Sequence, residues 1–410
     1  MTSRERIQKA INFQEADRVP IDLGAMASTG IMATTYHELK KYLGMKGGRT
    51  RVADPGQMLA AIEKPVLERF GIDAVPMSGI ASENPDDDSL WKPMNLPDGT
   101  PVEMPTGFKV EIDEEGGWVR RDKEGRVTER MPRNGFYFEG VPGPNPFLEA
   151  PAQEKLKVED YKVPLLPDEK LAYLERRSKF LYEDSDRAIL GNLYGPSLFN
   201  LGVGGFTEWM CTIAADKPYA HDLLAKAVEG TIANTRLYQQ AVGDRTFAMC
   251  MSDDMGMQRG EFVHPDLFAE LFGPHFKDLC QWVHQHTNYK IFLHSCGSIY
   301  NYIEALIDAG IDILNPVQTS AANMEPRRLK EKFGGRIVFW GGGCDTQRTL
   351  PFGTPEEVRQ QVKERMEIFA PGGGFVFTQV HNVQANTPPE NVVAMLEAAN
   401  EFGKYPIRSV

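Results

Sequence analysis

The sequence predicts an α/β fold: a (β/α)8 TIM barrel with a β-hairpin insertion in its N-terminal third. Three observations carry this reading. From about residue 155 onward, short apolar runs alternate with amphipathic helical segments, the pattern of a parallel sheet covered by helices. Two earlier runs bring the total to about eight strand–helix units, the number that closes a barrel. Residues 82–149 break the alternation, being dense in Pro, Gly and Asp with short alternating runs between turn signals such as Pro97-Asp98-Gly99. The chain therefore reads as a single domain over 1–410, with 82–149 as a β-rich insertion or lid. A doubly wound open sheet is the alternative that the same alternation allows.

Taken in order, Ser3 is the expected cap of a first helix over residues 4–13. Residues 18–24 read as a short strand ending at Gly24. Helices are expected over 35–43 and 55–70, with a buried strand at 72–75. After the insertion, strands are expected at 188–191, 246–251, 290–294, 313–314, 337–340 and 374–378. The helices between them span 206–215, 219–242, 265–286, 299–309, 326–333, 354–369 and 389–402. Capping signals mark several helix starts: Thr354-Pro355-Glu356-Glu357 carries an N-cap hydroxyl, a first-turn proline and a glutamate three residues on.

Composition excludes several classes. With 41% hydrophobic and 25% charged residues, the 410-residue chain is not of the disordered type. A net charge of −12 argues against a nucleic-acid or anionic-membrane partner, which would need a basic face. The five cysteines cannot all close into intrachain disulfides. The polar N-terminus shows no secretory pattern, and no run reaches the roughly 18 apolar residues of a membrane span. A reducing, cytoplasmic setting is expected, where a cysteine near a histidine signals metal or catalysis more often than a disulfide. No phosphate loop, dinucleotide fingerprint, nucleophile elbow or zincin motif is present.

Barrel active sites form at the C-terminal ends of the strands, so four strand ends matter most. Asp253-Asp254 follows the strand expected over 246–251. Asp254 is the stronger acid/base candidate of the two, against the alternative of a helix cap beside a solvated acid. His294-Ser295-Cys296 follows Ile291-Phe292-Leu293, and imidazole plus thiolate at i and i+2 is a zinc-ligand pair. Gly341-Gly342-Gly343-Cys344-Asp345 offers glycines, among them Gly342 and Gly343, that let a ligand approach the backbone. It also offers a second cysteine and an acid, although a tight loop would read the same way. His381 follows the last strand as a third ligand or a general acid/base. The aromatics Trp118, Phe136, Tyr137 and Phe138 either cover a substrate or pack the hairpins of the insertion.

Several of these stretches resemble the uroporphyrinogen decarboxylase superfamily. They are Arg18-Val19-Pro20-Ile21, the Asp253-Asp254-Met-Gly-x-Gln run, HSCGSI from His294, DILNPVQ from Asp312, FWGGGCDTQ from Phe339, and the segment through His381-Asn382 to Asn391. The resemblance covers nearly the whole chain and implies a (β/α)8 barrel with its site at the strand C-termini. The decarboxylase branch carries an N-terminal stretch whose arginines hold a polycarboxylate; residues 22–30 here contain no arginine. The corrinoid-dependent methyltransferase branch binds zinc through a His-x-Cys pair and a later cysteine. His294 and Cys296 match the pair, and the third position falls to His381 or to Cys344. Gln318 and Asp254 are further candidates near the metal, with Asp345 beside the substrate. The resemblance thus implies a zinc-dependent methyltransferase that moves a methyl group between a small O- or S-methyl compound and a corrinoid on a partner protein. A homodimer is an assembly compatible with it. The alternatives are a decarboxylase of a porphyrinogen or small acid, and a binding subunit without chemistry of its own.

Overall fold

The computed structural model describes residues 1–77, 87–141 and 155–407; within the expected insertion, 82–86 and 142–149 lie outside the described residues. Seven strands form one parallel sheet: Ala74–Pro76 (β1), Ala188–Asn192 (β2), Ala248–Ser252 (β3), Lys290–His294 (β4), Ile313–Asn315 (β5), Val338–Trp340 (β6) and Phe375–Val376 (β7). They pair in chain order from β1 to β7. Each is a short Ile-, Val-, Ala- or Phe-rich run buried on both faces, as a sheet covered by helices requires.

The first apolar run occupies the eighth place without forming a ladder of its own. Ile21 bridges Phe377 in parallel. Asp22 N donates to Phe377 O at 2.8 Å, Phe377 N to Pro20 O at 2.9 Å, and Asp73 N to Ile21 O at 2.8 Å. Residues 20–22 therefore stitch the β7 edge to the β1 side and close the curled sheet. The contact stays short because Pro20 has no N–H to give and the chain turns away at Gly24, φ +94°. A buried carboxylate locks the seam: Asp73 accepts from Arg6 Nη1 and Arg18 Nη1, each at 2.6 Å, and from Ile21 N at 2.8 Å.

Two cores result. The larger lies between the sheet and its helices. The smaller fills the barrel with Ala74, Leu190, Ala248, Phe292, Ile313 and Val338 and is joined by Ile7, Ala10 and Ile11 of the first helix, which thereby packs into the barrel core. That helix runs Ser3–Ile11, and its cap is Thr2 rather than Ser3, in a capping box with Glu5. Gly374, φ +71°, brings its backbone onto this segment, donating to Ala10 O at 3.0 Å; a side chain there would strike the Phe13 ring.

The helices over 206–215, 326–333 and 389–402 form as expected. Residues 55–70 do not form one helix. Asp54 Oδ1 accepts from Gly56 N and Gln57 N, tying a turn between the strands Val52–Asp54 and Leu59–Ala60, and only Lys64–Phe70 is helical. The helix Asp168–Asp184 was not anticipated. The insertion is β-rich, with a hairpin of Trp91–Asn95 and Pro101–Pro105 and a meander of four strands from Glu111 to Gly140. Trp118 and Phe138 pack against Phe108, with ring centroids at 6.1 and 6.3 Å. None of Trp118, Phe136, Tyr137 and Phe138 lines the central cavity; Trp118, Phe136 and Phe138 pack within the fold, and Tyr137 is exposed. Among the described residues, no helix is long and apolar enough to cross a membrane.

Candidate metal centre

Strand alternation aims His294 into the barrel. Ile291 and Leu293 face the helices, Phe292 and His294 the interior. His294 stands in register with Ser252 on β3 and Asn315 on β5. Asn315 Nδ2 donates to Trp340 O at 2.9 Å, so its Oδ1 faces the other way, 2.8 Å from both Ser28 Oγ and His294 Nδ1. The amide oxygen only accepts; His294 Nδ1 therefore carries the proton and Nε2 presents a bare lone pair. Burial also pushes the His294 pKa down, keeping the imidazole neutral.

Cys296 sits on the next turn, which its neighbours clamp. Cys296 N donates to Asp254 Oδ1 at 2.9 Å, Gly297 N to Gln318 Oε1 at 2.7 Å, and Met255 N to Ser295 Oγ at 3.1 Å. Gly297, φ +88°, lies so close to Gly256 that an added Cβ would come within 2.4 Å of the Gly256 carbonyl carbon. Two glycines here let two strand-end loops pack backbone to backbone. The Cys296 thiol is pushed up to about 12, first by burial and then by the Asp254 carboxylate. It needs a cation beside it to lose its proton near neutrality.

His381 completes the group from the far side of the barrel. Its Nδ1 donates to Asn382 Oδ1 at 3.0 Å, and Asn382 Nδ2 donates to Gln57 Oε1 at 2.9 Å. This leaves a second Nε2 lone pair. His294, Cys296 and His381 present one ligand atom each, all within 4.8 Å of one another. Cys296 Sγ and His294 Nε2 are 3.4 Å apart, close to the roughly 3.5 Å edge of a tetrahedron with zinc–sulfur and zinc–nitrogen bonds of about 2.3 and 2.0 Å. The donor set and its tautomers fit zinc.

That cavity, about 1340 Å³, opens over the strand ends and is lined among others by Ala25, Met26, Asn192, Cys250, Asp254 and His381. Asp254 is 60% exposed, with Oδ1 3.7 Å from His294 Nε2. Its neighbour Asp253 is buried and does structural work: it accepts from Ser197 Oγ, Leu198 N and Phe199 N and so ties down the loop after β2. Burial raises its pKa to about 7.

The remaining sequence candidates fall elsewhere. Cys344 is fully buried, outside the ligand cluster, and its thiol is raised by burial. Asp345 Oδ1 accepts from Gln347 N in a local turn and does not line the cavity. Gly342 and Gly343 also lie off the cavity; side chains there would strike Val317 and the Phe377 ring, so packing explains them. Gln318 holds the Cys296 turn rather than facing the cavity. Sequence reasoning gave no role to Asn315, Ser28 or Asn382. A polar residue closing the apolar run Ile313-Leu314 was the one available signal for Asn315.

A closed α/β barrel with an imidazole–thiol–imidazole cluster at its C-terminal mouth defines the class of protein. Residues 133–402, more than half of the chain, match the family described as Uroporphyrinogen decarboxylase (URO-D), and the chain belongs to that family. It is 22% identical over 411 residues to the uroporphyrinogen decarboxylase of Alkalilimnicola ehrlichii, covering 97% of this chain and 94% of that one. It is 25% identical over 277 residues to the Methylococcus capsulatus protein of the same name, covering 65% and 75%. Similarity to the Psychromonas ingrahamii protein of that name, at 29% identity, is confined to 101 residues, 25% of this chain and 27% of the relative. Among solved structures, a methyltransferase from Methanosarcina mazei superposes with a TM-score of 0.58 at 18% identity over 98% of this chain and 99% of its own, a likeness of fold.

Proposed function

We propose that this chain is a zinc-dependent methyltransferase, moving a methyl group between a small O- or S-methyl compound and a corrinoid held by a partner protein. The observation that carries the reading is the convergence of His294 Nε2, Cys296 Sγ and His381 within 4.8 Å at the barrel mouth. Two others support it. The first-strand segment facing the cavity, residues 23–30, is small and uncharged where a polycarboxylate would need guanidinium groups. The fold neighbour from Methanosarcina mazei is named a methyltransferase. Free cysteines throughout the described residues fit a cytoplasmic setting.

Zinc held here supplies Lewis acidity to an oxygen or sulfur on the ligand. The protein's own residues do the rest. Asn315 and Asn382 hold the two imidazoles with Nε2 available, and Asp254 fixes the Cys296 turn through its backbone N–H. The Asp254 carboxylate, exposed to the cavity beside His294, is placed to take or return the proton of the ligand's heteroatom. The cavity is wide enough for a donor and a second reactant together.

The test is metal analysis of the purified chain, followed by methyl transfer from methoxylated donors to reduced cobalamin. Bound zinc that is lost in His294→Ala and Cys296→Ser, with transfer lost in parallel, is expected. A metal-free protein whose behaviour is unchanged by both substitutions overturns the reading. Arg49, Arg51, Arg177 and Arg187 line other parts of the cavity and favour a second reading, decarboxylation of an anionic substrate. Release of CO2 from uroporphyrinogen without added metal would establish that instead.

A further inference from the structure

We infer that the ligand set selects an oxygen ligand, the hydroxyl or ether oxygen of an uncharged alcohol or phenol type compound, over a thiol. The inference rests on the metal reading above and narrows it to a substrate class. Of the three converging donors, two are neutral imidazoles and only Cys296 becomes an anion. Both imidazoles are backed by amides, Asn315 and Asn382, and not by carboxylates, which would pass negative charge through the ring. A divalent ion in this set keeps a formal charge of +1. A second thiolate at the third position would bring it to zero.

The residual charge discriminates between ligand atoms. Attraction of a hard oxygen is mostly electrostatic and rises with the charge left on the metal, whereas attraction of a soft sulfur is more covalent and less sensitive to it. The side chain at position 381 therefore sets the oxygen preference. Asp254 Oδ1, 3.7 Å from His294 Nε2, adds an acceptor for a hydroxyl proton at the open side of the cluster. On the first-strand side of the cluster, Ala25, Met26, Ala27 and Ser28 offer no cation and Asp254 is an acid, while the cavity's cations, Arg49, Arg51, Lys64, Arg177 and Arg187, line other parts of it. An anionic group next to the reacting oxygen is thus disfavoured, and an uncharged ligand fits.

The test uses the full chain loaded with cobalt(II), whose visible spectrum reports the fourth ligand. Phenol and benzenethiol are titrated into the native protein, His381→Cys and Asn382→Asp, after metal content is measured in each. Phenol affinity is expected to fall about tenfold or more in His381→Cys and by a smaller factor in Asn382→Asp, with benzenethiol affinity changed less than threefold. Asn382→Asp keeps all three ligands and gives up only the Nδ2 bond to Gln57 Oε1, so it reads the added charge without exchanging a ligand should His381→Cys fold poorly. Metal bound in all three proteins, with phenol affinity unchanged or improved, overturns this inference alone. A native chain that binds no metal overturns the metal reading together with it.

Discussion

One amide oxygen decides how His294 can act. Because Asn315 Nδ2 is committed to Trp340 O, its Oδ1 must accept, and His294 must donate from Nδ1. Asn315→Leu removes that constraint, so zinc affinity, measured by competition with a chromophoric chelator, is expected to fall about 10- to 100-fold while the fold persists. Asp253 gives a prediction in pH. Its folded pKa of about 7 lies above the ordinary carboxylate value, so between about pH 4 and 7 the folded chain holds a proton that the unfolded chain has lost. Its contribution to stability is therefore largest below that window and declines as pH rises through it. In Asp253→Asn this decline should become shallower in denaturation midpoints measured from pH 4 to 8, the remainder coming from buried Asp22, which burial raises to about 6; an unaltered slope would contradict the assignment. His294, Cys296 and His381 were legible in the sequence because each follows an apolar run. Cys344 also follows one, yet faces the core, since spacing along the chain does not say on which side of a loop a thiol emerges.

At the scale of elements, the site depends on two loops packed at their glycines. Gly297→Ala places a side chain at φ +88° against Gly256, and Gly256→Ala would meet Ser298 O at 2.5 Å. Gly297→Ala is expected to cost about 1–3 kcal/mol of stability and to weaken metal binding, read by thermal unfolding with and without zinc. Zinc-independent stability equal to that of the native chain would refute the close packing. The βα alternation was legible because buried parallel strands are continuous apolar runs. The helix expected over 55–70 failed because Asp54 offers its carboxylate to two backbone N–H groups, a local competitor that hydrophobic periodicity does not register. The turn-rich composition of the insertion identified its β character, yet gave no sign that its described aromatics would stay off the cavity.

For the whole molecule, closure rests on Asp73. Arg6 comes from within the first helix and Arg18 from the segment that follows it, and both converge on this one fully buried carboxylate. Asp73→Asn leaves the Arg18 guanidinium without its counter-charge and Arg6 with that of Asp17 alone, an expected loss of about 3 kcal/mol in chemical denaturation. Arg6→Met in the same background should cost less than it does alone, since the two act on one pair. Pairing of the first run with the last strand was legible from the count of units, since an eight-stranded barrel closes its last strand against its first; that the contact would shrink to a single bridge was not, because no residue pattern announces the length of a ladder.

That seam also sets a schedule for synthesis. Ile21 emerges from the ribosome early, yet its partner Phe377 is made only near the end. At about 5–20 residues per second, the first segment waits on the order of 20–70 seconds with one edge open. Until then the first helix has no finished barrel core to enter, and the mouth that gathers His294, Cys296 and His381 has no fixed width. The three-residue cluster is thus among the last features of a nascent chain to exist, and a chain stopped short of residue 377 would carry two of its three members on an unclosed sheet.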